Sequence, residues 1–177
     1  WRTFHPLQNF EPSADDLPAF DTAVRAVLLH RVAFSYKLRD FSPGLRERLA
    51  DHVAVYREHC VPLISGRAVV RPLTAQPLRE GRGERFPAFQ LGEGDAAVVS
   101  AFRLPGADSS ARLRLRALDP RARYRVSLLG PDADAADLDG GADLALPGAV
   151  LMSDGVVLRA QGGASSWLLA VRQEGTA

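Results

Sequence analysis

Sulfur and lysine are nearly missing from this sequence. Cysteine occurs once, as Cys60, so no disulfide can form within the chain and the fold does not depend on oxidation. Lysine also occurs once, as Lys37, and the other basic side chains are arginine. Alongside the abundant alanine, that bias points to GC-rich coding more readily than to bidentate anion binding. No apolar run approaches the roughly 18 residues of a membrane span, and the opening residues do not read as a signal peptide. The formal net charge is only +1, which argues against a nucleic-acid or membrane partner recruited by charge. No Walker loop, no Gly-x-Ser-x-Gly and no complete metal-ligand set is present, so neither cofactor nor metal is expected.

What is present suits an ordinary globular chain. Its 177 residues are 46% hydrophobic and 24% charged, enough for one sizeable core with a helical annex. Residues 1–13 read as loop, through Pro6, Asn9, Pro12 and Ser13. Asp15 or Asp16 can cap a first helix, whose stripe Leu17, Phe20, Val24, Val27, Leu28, Val32 and Tyr36 predicts helix to about Arg39. His30 falls inside it as a packing residue. Leu29 and Phe34 widen the stripe beyond what one neighbour covers. Ser42-Pro43 starts a second helix, with Leu45, Leu49, Val53, Tyr56 and Cys60 on its dry side and Arg46, Arg48, Asp51 and Arg57 on its wetter one. Pro62 and Gly66 close it.

From Ala68 the hydrophobic period changes to 2. Strands are predicted at 68–74, 87–91, 96–104, 111–118, 122–130, 143–147, 155–160 and 164–173, with glycine-rich turns between them. About eight such strands suit two packed antiparallel sheets. The expected class is therefore α+β: two long helices in residues 1–65, then an antiparallel β-sandwich over 66–177. Within it, Leu113, Leu115 and Leu118 face inward and Arg112, Arg114 and Arg116 outward. Tyr124, after the Leu118-Asp119-Pro120 turn, is expected between the sheets with its hydroxyl on a turn carbonyl or Asp119. Trp167, Leu169 and Val171 form a further core seam.

Few residues invite chemistry. His52 and His59 lie seven apart beside Cys60, but no further ligand completes a tetrahedral set. Arg112, Arg114, Arg116, Arg121, Arg123 and Arg125 on a hairpin offer an anion surface, but a solvated strand face, made of arginine by the coding bias and followed closely by aspartates, is the better reading. The Asp-rich loop through Asp132, Asp134, Asp137 and Asp139 lacks the spacing of a calcium loop and reads as a solvated connection.

Two stretches carry a resemblance. Leu118-Asp119-Pro120 with Tyr124, followed by Gly141-Ala142-Asp143-Leu144-Ala145-Leu146-Pro147-Gly148, resembles the C-terminal sandwich of family 36 glycoside hydrolases, the α-galactosidases and their relatives. Tyr56-Arg57-Glu58-His59-Cys60-Val61-Pro62-Leu63-Ile64-Ser65-Gly66 is similar to the helix leading from barrel to sandwich in that family, departing at Arg57, where Lys is usual, and at Cys60, where Arg is common. The resemblance implies that residues 1–65 end a (β/α)8 catalytic barrel whose preceding part is this chain's partner. It also implies a carbohydrate substrate, a retaining two-carboxylate mechanism, a cytoplasmic bacterial enzyme and scope for homo-oligomers. The family's Lys-x-Asp nucleophile motif and acid loop have no counterpart here, so no catalytic residue is assigned. Trp1, Phe4 and Phe10 fit a chain that continues something longer. His5, on the loop before the helices, becomes the one candidate to border the sugar. A non-catalytic carbohydrate-binding or structural sandwich is the alternative. With the barrel absent, the wide stripe of Leu28, Leu29, Val32 and Phe34 is expected to make the chain associate, while 66–177 alone behaves better.

Overall fold

The computed structural model describes residues 16–32, 37–75, 82–130, 137–141, 143–160 and 166–175. Three layers result: helices, a six-stranded sheet and a three-stranded sheet. Helix α1 (Leu17–Arg25) is capped by Asp16, whose side chain accepts from the Ala19 N–H at 3.1 Å. A short 3₁₀ turn, Leu38–Asp40, precedes α2 (Pro43–Val55), which Ser42 caps through the Leu45 N–H. Helix α3 (Val61–Ser65) continues α2 through a π turn, Tyr56–Cys60.

Among the described residues one long helix forms, from Pro43 to Ser65, not two. The first ends at Arg25 instead of about Arg39. Beyond it the bonds tighten to three-residue turns, Val27 N–H to Val24 and His30 N–H to Val27, while the Arg25 carbonyl accepts from Ser100 Oγ at 3.2 Å. Val27, Leu28 and Leu29 are all buried in succession, which no straight one-sided helix allows. His30 consequently emerges into solvent rather than packing inside a helix. Pro62, by contrast, does not end the second helix. A proline there lacks an N–H and crowds the carbonyl four residues back; the wider π turn, with Val61 N–H reaching Tyr56, absorbs both.

The strands are β1 (Val70–Pro72), β2 (Ala88–Glu93), β3 (Ala96–Phe102), β4 (Ser110–Leu113), β5 (Arg123–Leu128), β6 (Asp137–Leu138), β7 (Asp143–Pro147), β8 (Val156–Arg159) and β9 (Ser166–Gln173). One antiparallel sheet runs β1-β2-β3-β9-β5-β7 and the other β4-β8-β6. A short helix, α4 (Gly148–Ser153), follows β7.

Residues 111–118 do not form one strand. After Leu113 the backbone finds partners that are not a neighbouring strand: Leu115 N–H bonds the Leu151 carbonyl at 3.0 Å, and the Gln90 amide clasps Arg116 through both its N–H and its C=O, at 3.0 and 2.7 Å. Ala117 then adopts a left-handed φ of 55°. The chain thereby crosses from the small sheet to the large one, so β4 and β5 are not a hairpin. The alternation nonetheless holds: Leu113, Leu115 and Leu118 are buried and Arg112, Arg114 and Arg116 exposed.

Two cores lie on opposite faces of the large sheet. Between the sheets, Val99, Tyr124, Val126, Trp167, Leu169 and Val171 meet Leu113, Leu115, Leu138, Leu151, Val156 and Leu158. On the outer face, Leu91, Val98 and Leu168 receive Phe20, Val24, Leu28, Leu29, Phe41, Leu45, Leu49 and Cys60 from the helices. Burial on both faces explains why β9 reads as a nearly unbroken apolar run. The wide stripe expected for the first helix is thus covered within this chain, at Leu28 and Leu29 above all, which lie in the turns after α1; Phe34 lies outside the described residues. Truncation to 66–177 should therefore uncover Leu91, Val98 and Leu168 and cause association or binding of an apolar dye, with the full chain the better behaved. A monomeric 66–177 that binds no dye would contradict this packing.

Candidate functional site

Three groups of polar side chains stand out. The first lies between α1 and α2. Asp21, 1% exposed, accepts from Arg48 through Nε at 2.9 Å and Nη2 at 2.5 Å, and pairs with His52 Nε2 at 2.7 Å. A carboxylate only accepts, so His52 Nε2 carries a hydrogen. His52, also 1% exposed, tilts against Phe20 with ring centroids 6.4 Å apart. Neither Asp21 nor His52 reaches solvent, so the cluster ties the helices together and presents no reacting atom. Arg48 turns inward here, not onto the wetter surface. One sequence signal was available: Arg48 and His52 are four apart on a helix, on the side of Leu45 and Leu49.

The second group sits where the π turn meets the large sheet. His59 Nδ1 accepts from Arg172 Nη2 at 3.0 Å, because a guanidinium only donates, and its Nε2 faces Glu58 Oε1 at 3.4 Å. These residues rim a groove of about 220 Å³ whose lining also includes Pro62, Leu63, Val98 and Ala170. His52 and His59 therefore serve different contacts and do not converge. Cys60, buried beside His59, has its thiol pushed up to about 12 by burial, which keeps it protonated and unreactive.

Burial lowers the His59 pKa from 6.5; Glu58 opposes that shift and Arg172 adds to it. The unfolded chain thus takes up this proton first as pH falls. The contribution of His59 to stability is complete above about 6.5 and is lost as pH drops from there through the lowered folded value. Urea midpoints measured between about pH 7.5 and about pH 5.5 should fall with acid, and less steeply in His59→Gln. Equal slopes for the two proteins would contradict the assignment.

The third group lines a cleft of about 480 Å³ at one end of the sandwich, where Thr74, Glu84, Arg85, Asp108, Ser110 and Arg112 converge from the segment before β2, the turn before β4 and β4 itself.

His5 lies outside the described residues, as do Asp132 and Asp134. The six arginines are divided by the crossover: Arg112 stands on the small sheet, and Arg123 and Arg125 on the large one. Arg125 pairs with Asp143 at 2.7 Å and with Glu174 at 3.4 Å, and Arg123 with Glu174 at 3.3 Å. A single hairpin surface for an anionic polymer does not form.

Tyr124 is fully buried, its hydroxyl donating to the Gly94 carbonyl at 2.7 Å and accepting from the Asp119 N–H at 2.9 Å. A tyrosine bonding back to the backbone just before its strand is the corner device of β-sandwiches.

Residues 91–171 match the family model described as Glycosyl hydrolase family 36 C-terminal domain. Comparison with curated proteins gives no match. Among solved structures, the α-galactosidase from Lactobacillus brevis is similar at a TM-score of 0.65 and 16% identity, covering 89% of this chain and 20% of that one. The GH36 α-galactosidase AgaA from Geobacillus stearothermophilus, solved in complex with raffinose, gives 0.64 and 17%, covering 86% and 19%. AgaB from the same organism gives 0.63 and 18%, covering 85% and 19%. These are likenesses of fold, and the chain spans about a fifth of the length of each of these structures. The shares covered exceed residues 91–171, so the common fold reaches outside the matched segment.

Proposed function

We propose, since residues 91–171 match the family model described as Glycosyl hydrolase family 36 C-terminal domain, that the chain is the non-catalytic C-terminal part of an α-galactosidase-like enzyme. In this reading residues 66–177 are the accessory sandwich and residues 1–65 the end of the catalytic barrel, with His5 bordering the sugar. The remainder of the barrel is the partner. The parent enzyme acts on a carbohydrate with two carboxylates about 5 Å apart, and neither is supplied by this chain. A cytoplasmic location and association into homo-oligomers complete the proposal. Among the described residues, no helix is long and apolar enough to cross a membrane.

The family match carries this reading, and the polar geometry supports it. Asp21, the one buried carboxylate among the described residues, is engaged by Arg48 and His52. Glu84 and Asp108 share a cleft, but Glu84 Oε1 already accepts from the Phe86 N–H at 2.9 Å. The chain alone should hydrolyse no aryl α-galactoside above background. Turnover abolished by Glu84→Gln or Asp108→Asn would overturn the non-catalytic assignment.

A further inference from the structure

We propose that the cleft at the β4 end of the sandwich is a saccharide-binding site that takes a short neutral sugar. The choice of ligand follows from the charge and the donors present. Arg85 and Arg112 contribute two cations, and Glu84 and Asp108 two carboxylates. The charges of these lining residues cancel, and Arg103 beside them is turned onto the Asp108 carbonyl at 3.1 Å, so the lining offers no field of one sign for a phosphate or a divalent cation. It offers both donors and acceptors instead. Sugar hydroxyls both donate and accept; Ser110 adds a group of the same kind, and Thr74, whose Oγ1 accepts from the Ala88 N–H at 3.0 Å, adds a hydroxyl with its hydrogen left to donate.

The cleft is built rather than incidental. Arg85 is held by Nη1 on the Pro105 carbonyl at 2.8 Å, and Arg112 by Nη1 on the Asp154 carbonyl at 3.0 Å. Each tether fixes a flexible side chain beforehand and lowers the ordering cost of binding. Gly106 is part of the design: its φ is 77°, and a Cβ there would lie 3.2 Å from Arg85 Nη1. The left-handed φ favours glycine, and a Cβ there would push the guanidinium off the turn by a few tenths of an ångström. Phe86, 5% exposed, lines the same cleft and stacks on Trp167 with centroids 5.2 Å apart at 16°. It gives the site a rigid apolar base. A volume of about 480 Å³ lies within the usual range of small-ligand sites, about 300–1,000 Å³.

The test is a titration of the full chain, labelled with ¹⁵N, followed by NMR. Raffinose is the neutral probe, with inorganic phosphate and Ca²⁺ as charged controls. Amide shifts on Gly83–Phe86, Gly106–Asp108 and Ser110–Leu113 are expected with raffinose at millimolar affinity, and not with either control. Asp108→Asn and Arg112→Gln should each weaken binding about tenfold while spectral dispersion reports an intact fold. Absence of raffinose shifts at these amides would overturn the proposal. So would unchanged affinity in both folded variants, or the same shifts produced by phosphate or Ca²⁺. Because the readout is binding and not hydrolysis, it fails or succeeds independently of the non-catalytic assignment.

Discussion

Replacing Tyr124 by alanine is expected to lower the unfolding free energy by about 3–5 kcal/mol, the range for deleting a fully buried aromatic ring. The ring has 0% exposure and sits at the junction of three segments. Its hydroxyl links the Gly94 carbonyl to the Asp119 N–H, so the turn between β2 and β3 is fastened to the crossover. The Gly94 N–H bonds the Ala117 carbonyl at 2.7 Å beside it. On the other side, α4 begins against the same ring. A Cβ on Gly148 would lie 2.9 Å from Tyr124 Cε2 and 2.1 Å from the Asp119 carbonyl oxygen. Truncation therefore empties a site that its neighbours are fastened around and cannot readily refill. Tyr124→Phe keeps the ring but strands both hydrogen-bond partners, and should cost about 1–2 kcal/mol. Arg114→Ala, on the exposed side of the crossover, should cost no more than about 0.5 kcal/mol. Urea unfolding of the full chain ranks the three. An Arg114→Ala loss equal to that of Tyr124→Ala would show that the inward and outward faces are exchanged.

Asp21→Ala should be comparably damaging, at about 3–5 kcal/mol, the usual effect of removing one member of a buried ion pair. The loss leaves Arg48, whose side chain is 15% exposed, and the buried His52 facing a gap where a carboxylate had accepted from both. The residual charge is the costly part, not the missing attraction. A double variant, Asp21→Leu with Arg48→Met, should consequently recover much of the loss, and the double-mutant cycle should be strongly non-additive. Additive losses, or a single Asp21→Ala change within about 0.5 kcal/mol, would mean that the helices are held by their apolar contacts alone.

Period-2 alternation made the sandwich half legible, because it records which side chains face water regardless of what each strand pairs with. Leu113, Leu115 and Leu118 are buried as their spacing predicts, although the last two lie on an irregular crossover. The Tyr124 corner was readable for a similar reason: Leu118-Asp119-Pro120 forces a turn, and a large ring following it needs a core. The second helix was legible from Ser42-Pro43 and the Leu45–Leu49 spacing.

Pairing depends on contacts far apart in the chain, and there local pattern is silent. Whether β4 joins β5 or β8 is decided by Gln90 and the Leu151 carbonyl taking the backbone groups of Leu115 and Arg116. The true length of α1 depends on Ser100, which takes the Arg25 carbonyl, and on the outer sheet face that buries Leu28 and Leu29. Asp21, Arg48 and His52 meet only because two helices cross. The 480 Å³ cleft likewise exists only where residues around Glu84, Asp108 and Arg112 are brought to one end of the sandwich. What the sequence determined by itself was the wet and dry face of the alternating stretch through Leu113, Leu115 and Leu118, since hydration acts on side chains locally. What the tertiary structure alone decided was which dry faces meet and which polar groups they enclose, since those energies are realised only when distant segments pack.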